Sequence, residues 1–296
     1  MASVYEIFEF FVYDTVKIIL LLYIMIFLIG ILRTYIPQHK MREWLSRKKF
    51  GLSYVFAALF GAVTPFCSCS SIPIFISFIR AGVPLGVTFS FLVTSPLINE
   101  YLVVLMLGFF GLKITIAYVL FGLMLGMASG VIISKLDVNK YIVEDLRFNA
   151  DEIREEKFTN FRERFGYGSS EASSIVKKLW LWVVVGVGIG AFIHNLIPQE
   201  FIEGAINRAG IFSVPIAVLI GVPIYANCGA IVPIAVALFQ KGVPLGTSLA
   251  FMMATAALSL PEAVILRRAL KLPLIAIFFG IVAAGIVMMG YLFNFI

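Results

Sequence analysis

The chain alternates long apolar runs with short polar interruptions. The first run, about residues 8 to 35, is long enough at 1.5 Å per residue to cross a hydrocarbon core of about 30 Å. It closes on a basic loop holding Arg33, Lys40, Arg42, Arg47, Lys48 and Lys49. Residues 51 to 80 are apolar but broken in the middle, which leaves arms of about fifteen and about ten residues, neither able to span alone. Residues 84 to 110 are interrupted at Thr94-Ser95-Pro96-Leu97-Ile98-Asn99-Glu100, and 113 to 134 read as an unbroken span. A polar stretch, 135 to 178, then carries nine basic and nine acidic residues, a balance expected of a solvated linker. After it the pattern restarts. A span at 178 to 197 leads through a short polar piece to 211–240, broken at Gly221-Val222-Pro223-Ile224-Tyr225-Ala226-Asn227-Cys228-Gly229. Residues 243 to 270 are broken at Ser259-Leu260-Pro261-Glu262, and 272 to 295 are unbroken.

Residue matches make this an internal repeat. Gly82-Val83-Pro84-Leu85-Gly86 returns as Gly242-Val243-Pro244-Leu245-Gly246, Pro73-Ile74 as Pro233-Ile234, and Phe121-Gly122 as Phe279-Gly280, with the register expected to slip slightly at the breaks. If 51–80 and 211–240 are re-entrant and return to the side they came from, 19 of the 23 Lys and Arg fall on one side and only Lys17, Lys113, Arg208 and Lys241 on the other. If both cross fully, the bias toward a basic cytoplasmic face disappears. The expected fold is therefore an all-α integral membrane protein of two inverted-topology repeats, each with three crossings and a re-entrant broken hairpin. The first repeat covers 1–134 (re-entrant 51–80), a charged cytoplasmic linker covers 135–177, and the second repeat covers 178–296 (re-entrant 211–240). Both termini are expected outside, and paired broken segments of this kind point to a transporter's binding site.

Composition narrows the class. With 61% hydrophobic and 14% charged residues among 296 and a mean hydropathy of +1.01, this is a polytopic membrane protein whose lipid partner is the bilayer itself. The net charge of +6 resides in loops, and no basic face interleaved with aromatics suggests nucleic acid. Three cysteines, all in apolar segments, are too few for a disulfide framework. The opening residues carry Glu6, Glu9 and Asp14 rather than a basic region and a cleavage site, so the first span is expected to remain. Gly186-Val187-Gly188-Ile189-Gly190 lies inside a span with no strand before it, so it, like Gly126 and Gly130, reads as close helix packing rather than nucleotide binding. No P-loop occurs and no cofactor is implied. Trp44, Trp180 and Trp182 fall near expected interfaces, as does His194.

The candidate chemistry gathers at the breaks. Thr64-Pro65-Phe66-Cys67-Ser68-Cys69-Ser70-Ser71-Ile72-Pro73 holds two cysteines, four small hydroxylated side chains and two prolines. Proline lacks an N–H and disfavours helix before it, so the segment bracketed by Pro65 and Pro73 is expected to be non-helical, which at membrane depth occurs only in protein or along a cavity. Hairpins entering from opposite faces would bring Cys67 and Cys69, with Ser68 and Ser70, to Asn227 and Cys228 near the midplane. Three thiolates there suit a soft metal ion or a thiophilic centre, whereas a lone membrane cysteine is ordinarily a small apolar filler. Asn99 and Asn227 can line a cavity or satisfy unwound backbone. Glu100 and Glu262 follow corresponding breaks. Each either couples protons or caps a half-helix, where the dipole favours negative charge.

These residues carry a resemblance. The cysteine stretch, Thr94-Ser95-Pro96-Leu97-Ile98-Asn99, Asn227-Cys228-Gly229 and Ser259-Leu260-Pro261-Glu262 resemble the signatures of the predicted permeases that include the trivalent organoarsenical efflux permeases (the ArsP and YraQ type). The resemblance runs over nearly all of the chain from about residue 50, apart from the central linker. It implies a permease of the prokaryotic inner membrane. For the arsenical branch it implies efflux of trivalent arsenicals through membrane cysteines, which map to Cys67, Cys69 and Cys228. The expected function is secondary transport of a small thiophilic substrate or ion, not enzymatic catalysis. The alternative is a membrane thiol–disulfide redox protein working with a thioredoxin-like partner, or a carrier of a sulfur-containing substrate through cysteine adducts.

Overall fold

A computed structural model describes residues 51–64, 68–136, 138–143, 160–196, 209–224 and 228–295, with scattered positions of a helix between 12 and 34 and positions 204 and 206. Among these residues the architecture is helical throughout. In chain order come α1 (Leu52–Val63), α2 (Ser68–Arg80), α3 (Leu85–Leu97), α4 (Glu100–Lys135), α5 (Phe161–Leu196), α6 (Ser213–Gly221), α7 (Cys228–Gln240), α8 (Leu245–Ala257), α9 (Leu260–Leu266) and α10 (Leu272–Asn294). Three runs are long and apolar enough to cross a membrane: Leu102–Lys135, Leu245–Leu266 through the junction of α8 and α9, and Leu272–Asn294.

The halves flanking α5 are built alike. α2 and α7 each have 13 residues with proline at the sixth, α3 and α8 each have 13, and their counterparts stand 160 positions apart (82 to 242, 61 to 221). Both Gly-Val-Pro-Leu-Gly stretches do the same two jobs. The first glycine closes a Schellman turn, which demands the left-handed backbone that only glycine enters freely: Gly82 has φ 74° and Gly242 φ 89°. Their N–H groups donate to Ile79 O and Phe239 O at 3.0 and 3.1 Å, and those of Val83 and Val243 donate to Phe78 O and Leu238 O. The second glycine lets two helices touch along their backbones, Gly86 against Gly130 and Gly246 against Gly290. Lipid provides no hydrophobic drive between helices, so small residues that permit such contact hold a bundle together.

Side-chain pairings fix directions. Tyr54 lies against Gly86, Phe60 against Phe91 (5.6 Å between ring centres) and Gly61 against Phe91 and Ser95, so α1 runs alongside α3 in the same sense. Ser71 Oγ meets Ser95 Oγ at 2.7 Å and Phe75 packs on Phe89 at 5.0 Å, so α2 runs the opposite way. Hence α1 and α2 form a hairpin with both outer ends beside the start of α3 and its tip beside the end of α3. In the second half, Ser213 Oγ meets Thr247 Oγ1 at 3.1 Å and Thr255 Oγ1 donates to Gly221 O at 3.3 Å, which sets α6 along α8 in the same manner. α4 turns at Gly111 (φ 79°, ψ 173°) and then descends antiparallel to α3, with Tyr118 at Leu97, Gly126 at Thr94 and Gly130 at Ser90.

α3 and α8 form the centre, buried at every residue but the first of each. Two of their threonines bond within their own helices: Thr94 Oγ1 donates to Ser90 O at 2.9 Å and Thr255 Oγ1 to Phe251 O at 3.0 Å. Across the halves α3 packs on α8, and α4 packs on both α7 and α10. Leu125 presses on Gly285, the position that is its own counterpart. After α4, residues 141–143 pair with 269–271: Ile142 bridges Leu270 antiparallel, Val143 N–H donates to Ala269 O at 3.1 Å and Lys271 N–H to Tyr141 O at 2.8 Å.

Four expectations change. The helix resumes at Ser68, so Pro73 sits inside α2 rather than closing a non-helical segment, and Pro96 lies inside α3. In α2 the lost N–H would have reached the first turn, and neighbouring helices re-satisfy such groups in a bundle. The register does not slip at the breaks, because the paired turns and helix contacts are conserved in space. The counterpart of Phe121 is thus Ile281, not Phe279, although Phe121 does pack on Phe293 at 5.5 Å. The last part of the charged linker is not simply a solvated face. It is the beginning of α5 and docks on the first helix, with Phe165 on Phe27 at 4.8 Å, Ser169 Oγ within 3.1 Å of Tyr23 OH, and Arg164 Nη1 donating to Thr34 O at 2.7 Å.

Candidate functional site

Each hairpin is interrupted before a 13-residue helix. Ser68, Cys69 and Ser70 make the first turn of α2, and Cys228 is the first residue of α7, at the position corresponding to Ser68. Cys67 and Asn227, themselves counterparts, lie outside the described residues. Among the described residues no three His, Cys, Asp or Glu side chains stand together, and the thiols of Cys67, Cys69 and Cys228 lie outside that set.

The second break of each half ends beside its own hairpin tip. In the second half the link is direct, for Leu260 N–H donates to Val222 O at 3.1 Å, satisfying one of the orphan donors that open α9. Across the halves the arms interlock. α2 packs on α9, so the helix that begins with Ser68, Cys69 and Ser70 lies beside the helix that carries Glu262, while α7 packs on α4, where Phe239 meets Phe110 at 6.0 Å.

Three candidates outside the hairpins are now placed. Asn99 is buried at 6% exposure and caps α4, its Oδ1 accepting from Leu102 N–H at 2.8 Å, a backbone-satisfying role that leaves its amide nitrogen for other partners. Glu100 sits in the first turn of α4 and is exposed. Glu262 sits in the first turn of α9 and is 2% exposed. They follow corresponding breaks but are not counterparts: Glu262 corresponds to Leu102, which is fully buried, and Glu100 to Leu260.

Pattern reading missed Tyr118. Fully buried, it donates its hydroxyl to Leu97 O at 2.9 Å, a carbonyl freed where α3 ends. Its one signal was a phenol in the middle of an apolar span, which must find a partner there. Its counterpart is Phe278, which has no hydroxyl and instead packs on Phe89 of the first half at 5.4 Å.

The fold defines a class: an all-α, multi-pass membrane protein with two matching helical units and paired interruptions within the bundle. A family model described as a predicted permease, ArsP_1, matches residues 3–295, and the chain belongs to this family. Over 111 residues it is 30% identical to the UPF0718 protein YcgR of Bacillus subtilis (strain 168), a stretch covering 37% of each chain. The match thus spans little more than a third of that relative's length. No solved structure matches the chain.

Proposed function

We propose that this permease is a secondary transporter for a small thiophilic substrate, such as a trivalent organoarsenical or a soft metal ion, held by Cys67, Cys69 and Cys228 between the two hairpins. The observation that carries this is the placement of cysteine-bearing helix starts, Cys69 in α2 and Cys228 in α7, at corresponding interruptions, with the buried Glu262 on a helix packed against α2. Thiolates select soft centres, and Ser68, Ser70, Asn99 and Asn227 supply neutral polar groups around them.

The proposed topology is that of inverted repeats, 1–134 and 178–296, joined by a cytoplasmic linker at 135–177, in a prokaryotic inner membrane with both termini outside. Two features support it. α1 and α2 have 12 and 13 residues, about 18 and 20 Å of helix, short of a core of about 30 Å, and α1 begins where α2 ends. The pairing of 141–143 with 269–271 brings the end of α4 to the start of α10. The second part of α4 and α10 are counterparts, so halves that run these helices in opposite directions are related by a two-fold axis across the bundle, near Leu125 and Gly285. In a membrane, that axis lies in the plane, and one hairpin-bearing unit moves against the other to alternate access.

The test is transport into inside-out vesicles of methylarsenite and of silver ion, with Cys67→Ser, Cys69→Ser and Cys228→Ser. Loss of uptake in the cysteine variants is expected, and undiminished uptake in all three sinks the cysteine role. Mass spectrometry of the purified chain addresses the thiol–disulfide alternative: a Cys67–Cys69 disulfide that cycles with thioredoxin would favour redox chemistry over transport.

A further inference from the structure

The two halves differ where their second breaks occur. In the first half, Asn99 caps α4 and Tyr118 holds Leu97 O. In the second, Ser259 makes no side-chain cap bond, Phe278 replaces the tyrosine, and a carboxylate, Glu262, takes the buried place that Leu102 fills in the first. Packing alone does not call for an acid there, since the matching site in the same fold takes a leucine that is fully buried. A buried charge costs about 2.5–3.5 kcal/mol at membrane depth on insertion scales, which favours function over filling.

We infer that Glu262, and not Glu100, is the carboxylate that couples proton movement to transport, with the junction of α8 and α9 as the joint that responds to it. This rests on the permease reading. α9, which carries Glu262, packs on the arm that opens with Ser68, Cys69 and Ser70, and its own first residue, Leu260, is bonded to the tip of the other hairpin through Val222 O. Its charge state therefore bears on both hairpins. Protonation from one side yields a neutral acid, and release to the other restores the carboxylate, one proton per cycle. Glu262 is the sole titratable residue of α9. Of the helices packed on α9, α2 carries Cys69 and Arg80, and α5 carries its charges between Arg162 and Lys178 with His194 near its end.

The rival role is a capping box, Ser259 to Glu262, which a glutamine fulfils equally well. Glu262→Gln therefore separates the two. The full chain is reconstituted in liposomes with methylarsenite and silver ion as probes. In wild type, binding is expected to change about tenfold with pH, a coupling of ordinary size, and a proton gradient drives uptake. Glu262→Gln should abolish both the pH dependence and gradient-driven uptake while exchange across equal concentrations persists, Glu262→Asp should keep a shifted pH profile, and Glu100→Gln should behave as wild type. Gradient-driven uptake retained in Glu262→Gln overturns the inference. If wild type moves neither probe, it is the thiophilic substrate that fails. Infrared titration of the detergent-purified chain then decides the carboxylate alone: a buried carboxylic acid band missing only in Glu262→Gln supports the role, and one that persists there refutes it. Should Glu262→Gln not fold, the pH profile of Glu262→Asp decides, and one identical to wild type counts against the inference.

Discussion

Tyr118 and Phe278 occupy matching positions, and only the tyrosine hydroxyl reaches a carbonyl left without a helical partner. Tyr118→Phe converts the first break into the likeness of the second and leaves Leu97 O buried with one donor fewer. The expected loss is about 1–3 kcal/mol, read as a lower unfolding midpoint in detergent. Glycines divide in the same way. A Cβ on Gly246 would run into the Gly290 carbonyl and lie 2.8 Å from Asn294 N, whereas a Cβ on Gly280 would meet nothing within 4 Å. Gly246→Ala should therefore cost about 1–3 kcal/mol through overpacking. Gly280→Ala, inside α10 with open space, should be neutral or stabilising by up to about 1 kcal/mol. Equal effects from the two would contradict the backbone contact of α8 with α10.

At the level of elements, hairpins and breaks are made by short-range rules, and the elements are joined by long-range ones. The Schellman turns at Gly82 and Gly242 set α2 against α3 and α7 against α8, and the prolines that follow stop the preceding helix from continuing. The small antiparallel pairing of 141–143 with 269–271 is the joint that ties the linker to the loop before α10. Ile142 and Leu270 face each other as a pair not directly hydrogen-bonded, whose Cα atoms in such ladders stand about 4.5 Å apart, within disulfide reach. In a chain with Cys67, Cys69 and Cys228 changed to serine, Ile142→Cys with Leu270→Cys should cross-link under mild oxidation. Failure to cross-link would remove the main structural support for placing α4 and α10 in opposite directions.

For the molecule as a whole, the decisive question is which loops share a side. The inverted arrangement puts Lys140 and Arg267 inside and Lys113 and Lys241 outside. All four are exposed. Single cysteines at these positions in the same serine background should react with an impermeant maleimide in two groups: Lys113→Cys and Lys241→Cys in intact cells, Lys140→Cys and Arg267→Cys only in inside-out vesicles. A Lys113→Cys and Lys241→Cys pair that labels from different sides would reject the inverted arrangement. The docking of α5 on the first helix through Phe165, Ser169 and Arg164 further ties the two halves together on the linker side.

By itself the sequence determined what depends on near neighbours and on hydropathy. The membrane class, the interruptions at Gly221 and Asn99, the repeated Gly-Val-Pro-Leu-Gly turns and the packing role of Gly126 and Gly130 all follow from helix length, proline and glycine stereochemistry and the avoidance of charge in lipid. Proline chemistry misjudged Pro73, because a helix within a membrane bundle tolerates the loss of one backbone bond, a tolerance that depends on packing the sequence does not display. Tertiary structure alone decided which of two similar carboxylates is buried. Glu100 and Glu262 are two places apart in the matched register, about 200° around a helix, so one faces outward and the other takes the place of Leu102. It also decided that Leu125 meets its own counterpart, Gly285. Burial and symmetry belong to the way faces meet across 160 positions of chain, and no local pattern of apolar and polar residues encodes them.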